Sequence, residues 1–215
     1  MAKIITKEEA CSFIKDGSRV MFGGFLACGS AVGIIDLLAT KDVKNLTLIA
    51  NDTAYPDKSY GKLIANKQIS KVIASHIGTN PETGKQMNNK EIDITLMPQG
   101  SLAECIRAAG AGLGGILTPT GLGTIVQENK QIINVKGQDY ILEEAIHADV
   151  AIIYADCADK YGNLAYNGTT RNFNPLMAMA SEITIVEVKE IIDGYLDPNQ
   201  IIVPSVFVNY MVKAE

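Results

Sequence analysis

The chain has 215 residues, with 24 Asp and Glu against 19 Lys and Arg, a formal net charge of −5 and 47% hydrophobic residues. That balance lacks the basic footprint which nucleic acid or an anionic membrane surface demands, and the apolar fraction excludes a disordered chain. The length suits one domain spanning residues 1–215 with a core of ordinary size.

The first ten residues, MAKIITKEEA, carry no apolar h-region, so no secretory signal is expected and the cytoplasm is the expected compartment. Residues 7–16 read as a helix. An apolar run at 20–22 then enters Gly23-Gly24-Phe25, and a second helix is expected over 31–40, starting near Ser30. Further continuous apolar runs stand at 46–50, 72–75, 92–97, 150–155, 183–188 and 201–208. Stretches such as LTLIA, DVAIIYA and ITIVEV are rich in Ile and Val and do not alternate with polar residues, the pattern of strands buried on both faces of a parallel sheet. Helix-like segments at 59–66, 102–109 and 175–181 separate them. Ser101-Leu-Ala-Glu104 has capping-box spacing and predicts a helix start there. Residues 132–142 read as a hairpin turning at Lys136-Gly137. The sum is an open, mostly parallel α/β sheet with helices on both faces and a small hairpin insert. Two uncharged stretches, 20–35 and 108–127, contain four and six Gly. A membrane span wants about 20 mostly apolar residues, so both read as Gly-rich loops with buried flanks.

Cys11, Cys28, Cys105 and Cys157 form no CxxC, and His76 and His147 are the only histidines, so no metal site is expected and the thiols read as reduced and mostly packing groups. In residues 19–35 a strand, a Gly loop and a helix follow one another, an order that brings backbone N–H groups and a helix start towards an anion. Gly24-x4-Gly29 is followed by Ser30 where a P-loop needs Lys, which argues against ATP or GTP hydrolysis. Phosphate, pyrophosphate and a thioester carbonyl all suit such a loop; a tight packing turn is the plain alternative. Gly110-Ala-Gly112-Leu-Gly114-Gly115 matches GxGxxG as a string but follows a helix and precedes a strand, so it reads as a helix end and close crossing. Polar residues follow buried runs at Asn51-Asp52, Pro98-Gln99-Gly100 and Thr118-Pro119-Thr120-Gly121, where ligands bind in open α/β sheets. The amides of Asn51 and Gln99 are candidates to face a carboxylate or oxyanion, since they donate without titrating, or else they cap loops. No nucleophile is evident. There is no GxSxG, His147-Ala-Asp149 and His76 lack partners, Cys28 has no base beside it, and Glu187 and Glu190 read as solvated or ion-paired.

Four segments carry a resemblance in their order along the chain: DGSRVMFGGFLACG at 16–29, PQGSLAECIRAAGAG at 98–112, TPTGLGT at 118–124, and GNLAY with RNFNPLMAMA within 162–180. The chain resembles the alpha (A) subunit of family I (3-oxoacid) CoA-transferases, of the acetate/butyrate–acetoacetate type, over nearly its full length. The resemblance implies the CoA-transferase or NagB-like fold and ping-pong transfer of CoA between acetoacetyl-, butyryl- or acetyl-CoA and a free short-chain acid. It implies a beta subunit, in an α2β2 assembly, whose glutamate is the nucleophile in a Ser-Glu-Asn-Gly setting. Ser181-Glu182-Ile183 does not match that setting, so no catalytic residue is expected in this chain. Gly23, Gly24, Phe25, Leu26, Ala27, Cys28 and Gly29 match the CoA-contacting loop, and Gln99 and, less closely, Asn51 match positions facing the substrate carboxylate or oxyanion. CoA is a substrate, and no cofactor or metal is implied. Gly29-Ser30-Ala31 departs from the usual Gly-x-Pro, and Cys105 and Ala109 replace a common Arg and Gly. The alternative is a non-catalytic module of the same fold that senses a CoA ester or sugar phosphate. A sugar-phosphate isomerase fits less well, because no convincing Asp, Glu and Lys set stands near the strand ends.

Overall fold

The computed structural model describes residues 2–215. In chain order the elements are β1 (Lys3–Ile4), α1 (Lys7–Ser12), β2 (Arg19–Phe22), α2 (Val32–Leu38), β3 (Leu46–Ile49), α3 (Gly61–Ala65), β4 (Ile69–Ala74), α4 (Pro81–Asn88), β5 (Asp93–Leu96), α5 (Gln99–Gly110), β6 (Gly115–Thr118), β7 (Ile132–Val135), β8 (Gln138–Glu144), β9 (Ala148–Asp159), β10 (Leu164–Ala165), α6 (Asn174–Met179), β11 (Ser181–Ile192) and β12 (Tyr210–Lys213). The main sheet runs β1-β12-β11-β9-β2-β3-β4-β5, parallel throughout, with β10 added antiparallel to β9. A second, antiparallel sheet has the order β6-β8-β7.

The unalternating apolar runs have a direct cause. Along β2, Val20 and Phe22 join one core with Leu48, Ile152, Ile34 and Leu63, while Met21 between them joins a second core with Ile49, Ala151, Leu102 and Met177. Successive side chains point to opposite faces, and both faces are covered, so every position is apolar. The turn at Lys136-Gly137 joins β7 to β8 with φ of 53° and 85°, the two left-handed residues of a tight hairpin. Gly110 ends α5, and a Cβ there would meet Met179 Cβ at 2.6 Å, so this glycine lets α5 approach α6 closely, as the sequence reading expected. No described helix is long and apolar enough to cross a membrane.

Three local expectations fail. The run at 201–208 is not a strand: Pro204 has no N–H to give a ladder, residues Ser205–Phe207 form a 3₁₀ turn, and the strand is Tyr210–Lys213. Helix α5 starts at Gln99 rather than at Leu102 after a Ser101 cap, because Pro98 stands at the cap and puts Ser101 inside the first turn. The buried Ser101 Oγ then has no partner, and Glu104 pairs instead with Arg107 at 2.7 Å. The capping box in this chain is Thr6 with Glu9, whose reciprocal bonds of 3.1 and 2.8 Å start α1. Finally α4 was missed, since its sequence PETGKQMN has almost no apolar face; Asn80 and Pro81 mark its start.

Asp159, 1% exposed, closes the turn after β9 by accepting from the backbone N–H of Tyr161, Gly162, Asn163 and Leu196 and from Asn163 Nδ2 at 2.7 Å. Burial by itself raises this carboxyl, but the Asn163, Leu196 and Tyr161 donors outweigh it and hold it below its ordinary value of 3.8. A depressed carboxyl stabilises the fold above its unfolded pKa, and that contribution is lost as pH falls through the folded one. The difference in unfolding free energy between the native chain and Asp159→Asn is therefore expected to be full at neutral pH and to shrink below the ordinary carboxyl range. Urea midpoints at neutral and acid pH measure it, and a gap that persists on acidification contradicts it.

Candidate active site

Parallel register sets Met21 beside Ile49, Ile49 beside Ile73 and Ala74 beside Leu96, so the carboxyl ends of β2 to β5 open on one edge. There Phe25, Leu26, Asn51, Ser75, His76 and Gln99 line a cavity of about 350 Å³. Thr118 and Thr120 line a separate cavity of about 580 Å³ with Gly100 and Ser101, on the other side of the α5 start. His147 and Asp149 lie at the opposite end of the sheet, holding Arg19 through the His147 carbonyl and the Asp149 carboxylate.

The loop after β2 is a tight hairpin. Phe25 N donates to Cys28 O at 3.0 Å and Cys28 N to Phe25 O at 2.9 Å, leaving Leu26 and Ala27 at the tip with φ of 48° and 71°. Gly or Asn usually fills both places, because an L side chain crowds its own carbonyl there. Such strain persists only where surrounding contacts over-determine it. One of those contacts is Leu26 N to Asp52 Oδ2, at 2.9 Å.

Asp52 is 1% exposed and also accepts from Asn51 Nδ2 at 3.0 Å, Ala54 N at 2.7 Å and Tyr60 OH at 3.2 Å. Burial, followed by the charge and bond of Asp52, raises the Tyr60 hydroxyl well above its ordinary value, so it stays a donor. Because a carboxylate only accepts, Asp52 fixes which way the Asn51 amide points. The nitrogen faces Asp52 and the oxygen faces Gln99, whose Nε2 donates to it at 2.8 Å. A primary amide has two N–H groups, so the exposed Gln99 at the cavity wall has one beyond the N–H given to Asn51. The structure thus brings Asn51 and Gln99 together, with Asn51 buried behind Gln99.

The helix after the loop is not an open anion site. Both oxygens of Glu187 occupy it, accepting from Gly33 N at 3.0 Å and Ile34 N at 2.7 Å. This corrects two expectations: α2 starts at Val32 with its own internal anion, and Glu187, 5% exposed, is neither solvated nor ion-paired. Glu187→Ala strands two N–H groups and is expected to cost about 1–3 kcal/mol. The shift of the urea midpoint reads this cost, and no shift would show the contact idle.

Among the described residues the N–H groups of Gly23, Gly24, Phe25, Leu26 and Cys28 have acceptors within the protein, while those of Ala27 and Gly29 have none. Cys28 is exposed beside Thr169, whereas burial pushes the Cys11 and Cys105 thiols up to about 11. Brief treatment with iodoacetamide at neutral pH is expected to label Cys28 well before Cys11 and Cys105, read by peptide mass. Equal labelling would contradict this exposure pattern. No three His, Cys, Asp or Glu side chains among the described residues gather into a metal-ligand set.

Sequence reasoning passed over Asp52 as a support, Ser75 and His76 as cavity walls, and Asn172 and Asn174, which hold the loop. Ser75-His76 follows a buried run just as Asn51-Asp52 does, and that signal was available.

The Coenzyme A transferase family model matches residues 4–214. The chain is 49% identical over 213 residues to the acetoacetyl-CoA:acetate/butyrate CoA transferase alpha subunit of Clostridium acetobutylicum, covering 99% of this chain and 98% of that one. It is 47% identical over 214 residues to the acetate CoA-transferase subunit alpha of Escherichia coli K12, covering 99% and 97%. Among solved structures, the acyl-CoA transferase YdiF of E. coli O157:H7, in its thioester complex with CoA, superposes with a TM-score of 0.86 at 21% identity. That match covers 99% of this chain and 47% of the other, so this chain spans about half of that solved protein.

Proposed function

Since the chain belongs to the coenzyme A transferase family, as an alpha subunit, we propose that it works with a beta subunit, as α2β2, to move CoA between short-chain acyl-CoA and free carboxylic acids. Acetoacetyl-CoA, butyryl-CoA and acetyl-CoA are the proposed donors, and the 49% identity to an acetoacetyl-CoA:acetate/butyrate transferase subunit supports that choice. The observation that carries the mechanism is the cavity wall itself. It offers an oriented neutral amide, Gln99, beside the 23–29 loop and no carboxylate nucleophile.

The reaction is written as ping-pong. A glutamate carboxylate of the beta subunit attacks the thioester carbonyl; the C–S bond breaks, giving an acyl-glutamyl anhydride and CoA thiolate. The thiolate attacks the glutamyl carbonyl, releasing the first acid as carboxylate and leaving a glutamyl-CoA thioester. The acceptor acid then runs both steps in reverse and leaves as the new acyl-CoA. Every step passes through a tetrahedral centre with negative charge on oxygen. The free N–H of Gln99 faces that charge without having to lose a proton. Asn51 and Asp52 hold the amide in place, and the 23–29 loop takes the CoA handle, with the Ala27 and Gly29 N–H groups unused by the protein. Dividing one acyl exchange into covalent steps lowers the largest barrier.

The test is CoA exchange between acetoacetyl-CoA and acetate or butyrate, with the chain alone and with its beta subunit. The complex is expected to turn over and the lone chain to be inactive. Activity of the lone chain overturns the divided site. An inactive complex that still binds acetoacetyl-CoA makes the chain a sensing module.

A further inference from the structure

Two asparagines far along the chain grip both ends of the 23–29 loop. Asn172 Oδ1 accepts from Gly24 N at 3.0 Å, and its Nδ2 donates to Cys28 O at 3.1 Å and to the Thr169 and Thr170 carbonyls. Asn174, 0% exposed, accepts from Tyr154 N at 3.1 Å and donates to Gly29 O at 2.9 Å and Thr170 O at 2.8 Å. A Cβ on Gly23 would collide with Asn174 Oδ1, and one on Gly29 would meet Asn172 Nδ2 at 2.8 Å and the Thr170 backbone. These two glycines are therefore small because the asparagines need the space, as distinct from the needs of any approaching phosphate.

We infer that Asn172 and Asn174 are positioning residues for the proposed CoA loop, an inference that rests on the reading of 23–29 as the CoA contact. A primary amide accepts through its oxygen and donates through its nitrogen from two separate arms, which matches a loop presenting an N–H at its entry and carbonyls at its exit. The grip fixes the strands of the hairpin whose tip holds Leu26 and Ala27 left-handed, and so fixes where the free Ala27 and Gly29 N–H groups point. Asp at either position keeps the accepting oxygen but sets a second oxygen against Cys28 O or Gly29 O.

The experiment uses the complex with its beta subunit and compares wild type with Asn172→Asp, Asn172→Ala and Asn174→Asp. Asn172 is only partly buried, so its variants remain informative if Asn174→Asp does not fold. The KM for acetoacetyl-CoA is expected to rise at least about tenfold, with the KM for acetate unchanged and amide exchange over residues 24–30 accelerated. Unchanged KM for acetoacetyl-CoA, an equal rise in both KM values, or unaltered exchange in that segment overturns the inference. A wild-type complex without CoA transfer defeats the functional reading and this inference with it, whereas an active wild type with unaltered variants defeats the inference alone.

Discussion

Gln99→Ala is expected to lower kcat of the reconstituted enzyme about 100- to 1000-fold, the loss that follows removal of one oxyanion donor and equivalent to about 2.7–4 kcal/mol. The argument is geometric. The Gln99 amide is exposed at the cavity, and one of its N–H groups is anchored on Asn51 Oδ1 at 2.8 Å, so the remaining N–H has a fixed direction before substrate arrives. A donor fixed in advance gains most when charge develops on the oxygen it faces, and less from the neutral carbonyl of the bound thioester. Hence kcat and kcat/KM should fall together while KM for acetoacetyl-CoA stays close to wild type. Gln99→Glu should be at least as poor, because a carboxylate offers no donor and its oxygen would oppose Asn51 Oδ1. Asn51→Ala should cost less than Gln99→Ala, since it frees the amide without deleting it. Steady-state kinetics of the three variants measure the order; a Gln99→Ala enzyme with unchanged kcat removes Gln99 from the chemistry.

What could be read from the sequence follows from how local each signal is. Strands β2, β3, β9 and β11 were legible because burial on both faces turns a period of two into a continuous apolar run. The hairpin at Lys136-Gly137 was legible because its turn needs two left-handed residues in a row. The expectations at 201–208 and Ser101 both fail at a proline: Pro204 interrupts an apolar run, and Pro98 as the cap sets the helix start three residues before a cap at Ser101 would. Asn51 and Gln99 stood out as polar groups after buried strands, although the hydrogen bond between them crosses 48 residues of chain. The supports were not legible at all. Asp52 reaches Leu26 across 26 residues, Asn172 reaches Gly24 across 148 and Glu187 reaches Gly33 across 154. Each is an ordinary polar residue in its own neighbourhood and acquires its role only when the parallel sheet brings distant loops to one edge. The same holds for Leu26 and Ala27, whose left-handed backbone contradicts local preference and depends on those distant partners.

Asp52→Ala is expected to lose more than about 4 kcal/mol of folding stability, near the upper end for a single substitution. The carboxylate, 1% exposed, serves four donors, Leu26 N, Asn51 Nδ2, Ala54 N and Tyr60 OH, and of these residues Asn51, Ala54 and Tyr60 are buried while Leu26 is partly buried. Each buried donor left without an acceptor costs about 1–3 kcal/mol, and a domain of this kind is stable by only about 5–15 kcal/mol in total. Loss of fold on this scale is read as a fall in the urea midpoint at unchanged m-value, which separates a stability effect from a change in the unfolded state. Asp52→Asn preserves shape but has one accepting oxygen and must aim an NH₂ at groups that are themselves donors, so it should lie between the native chain and Asp52→Ala. Its activity is the sharper reading. With an NH₂ in place of one oxygen, nothing obliges Asn51 to turn its own nitrogen towards position 52, and the carbonyl that anchors Gln99 is no longer fixed. Turnover should then fall in Asp52→Asn even at temperatures where the chain remains fully folded. A folded Asp52→Asn enzyme with native kcat would mean that Gln99 is oriented by something other than the Asp52–Asn51 relay.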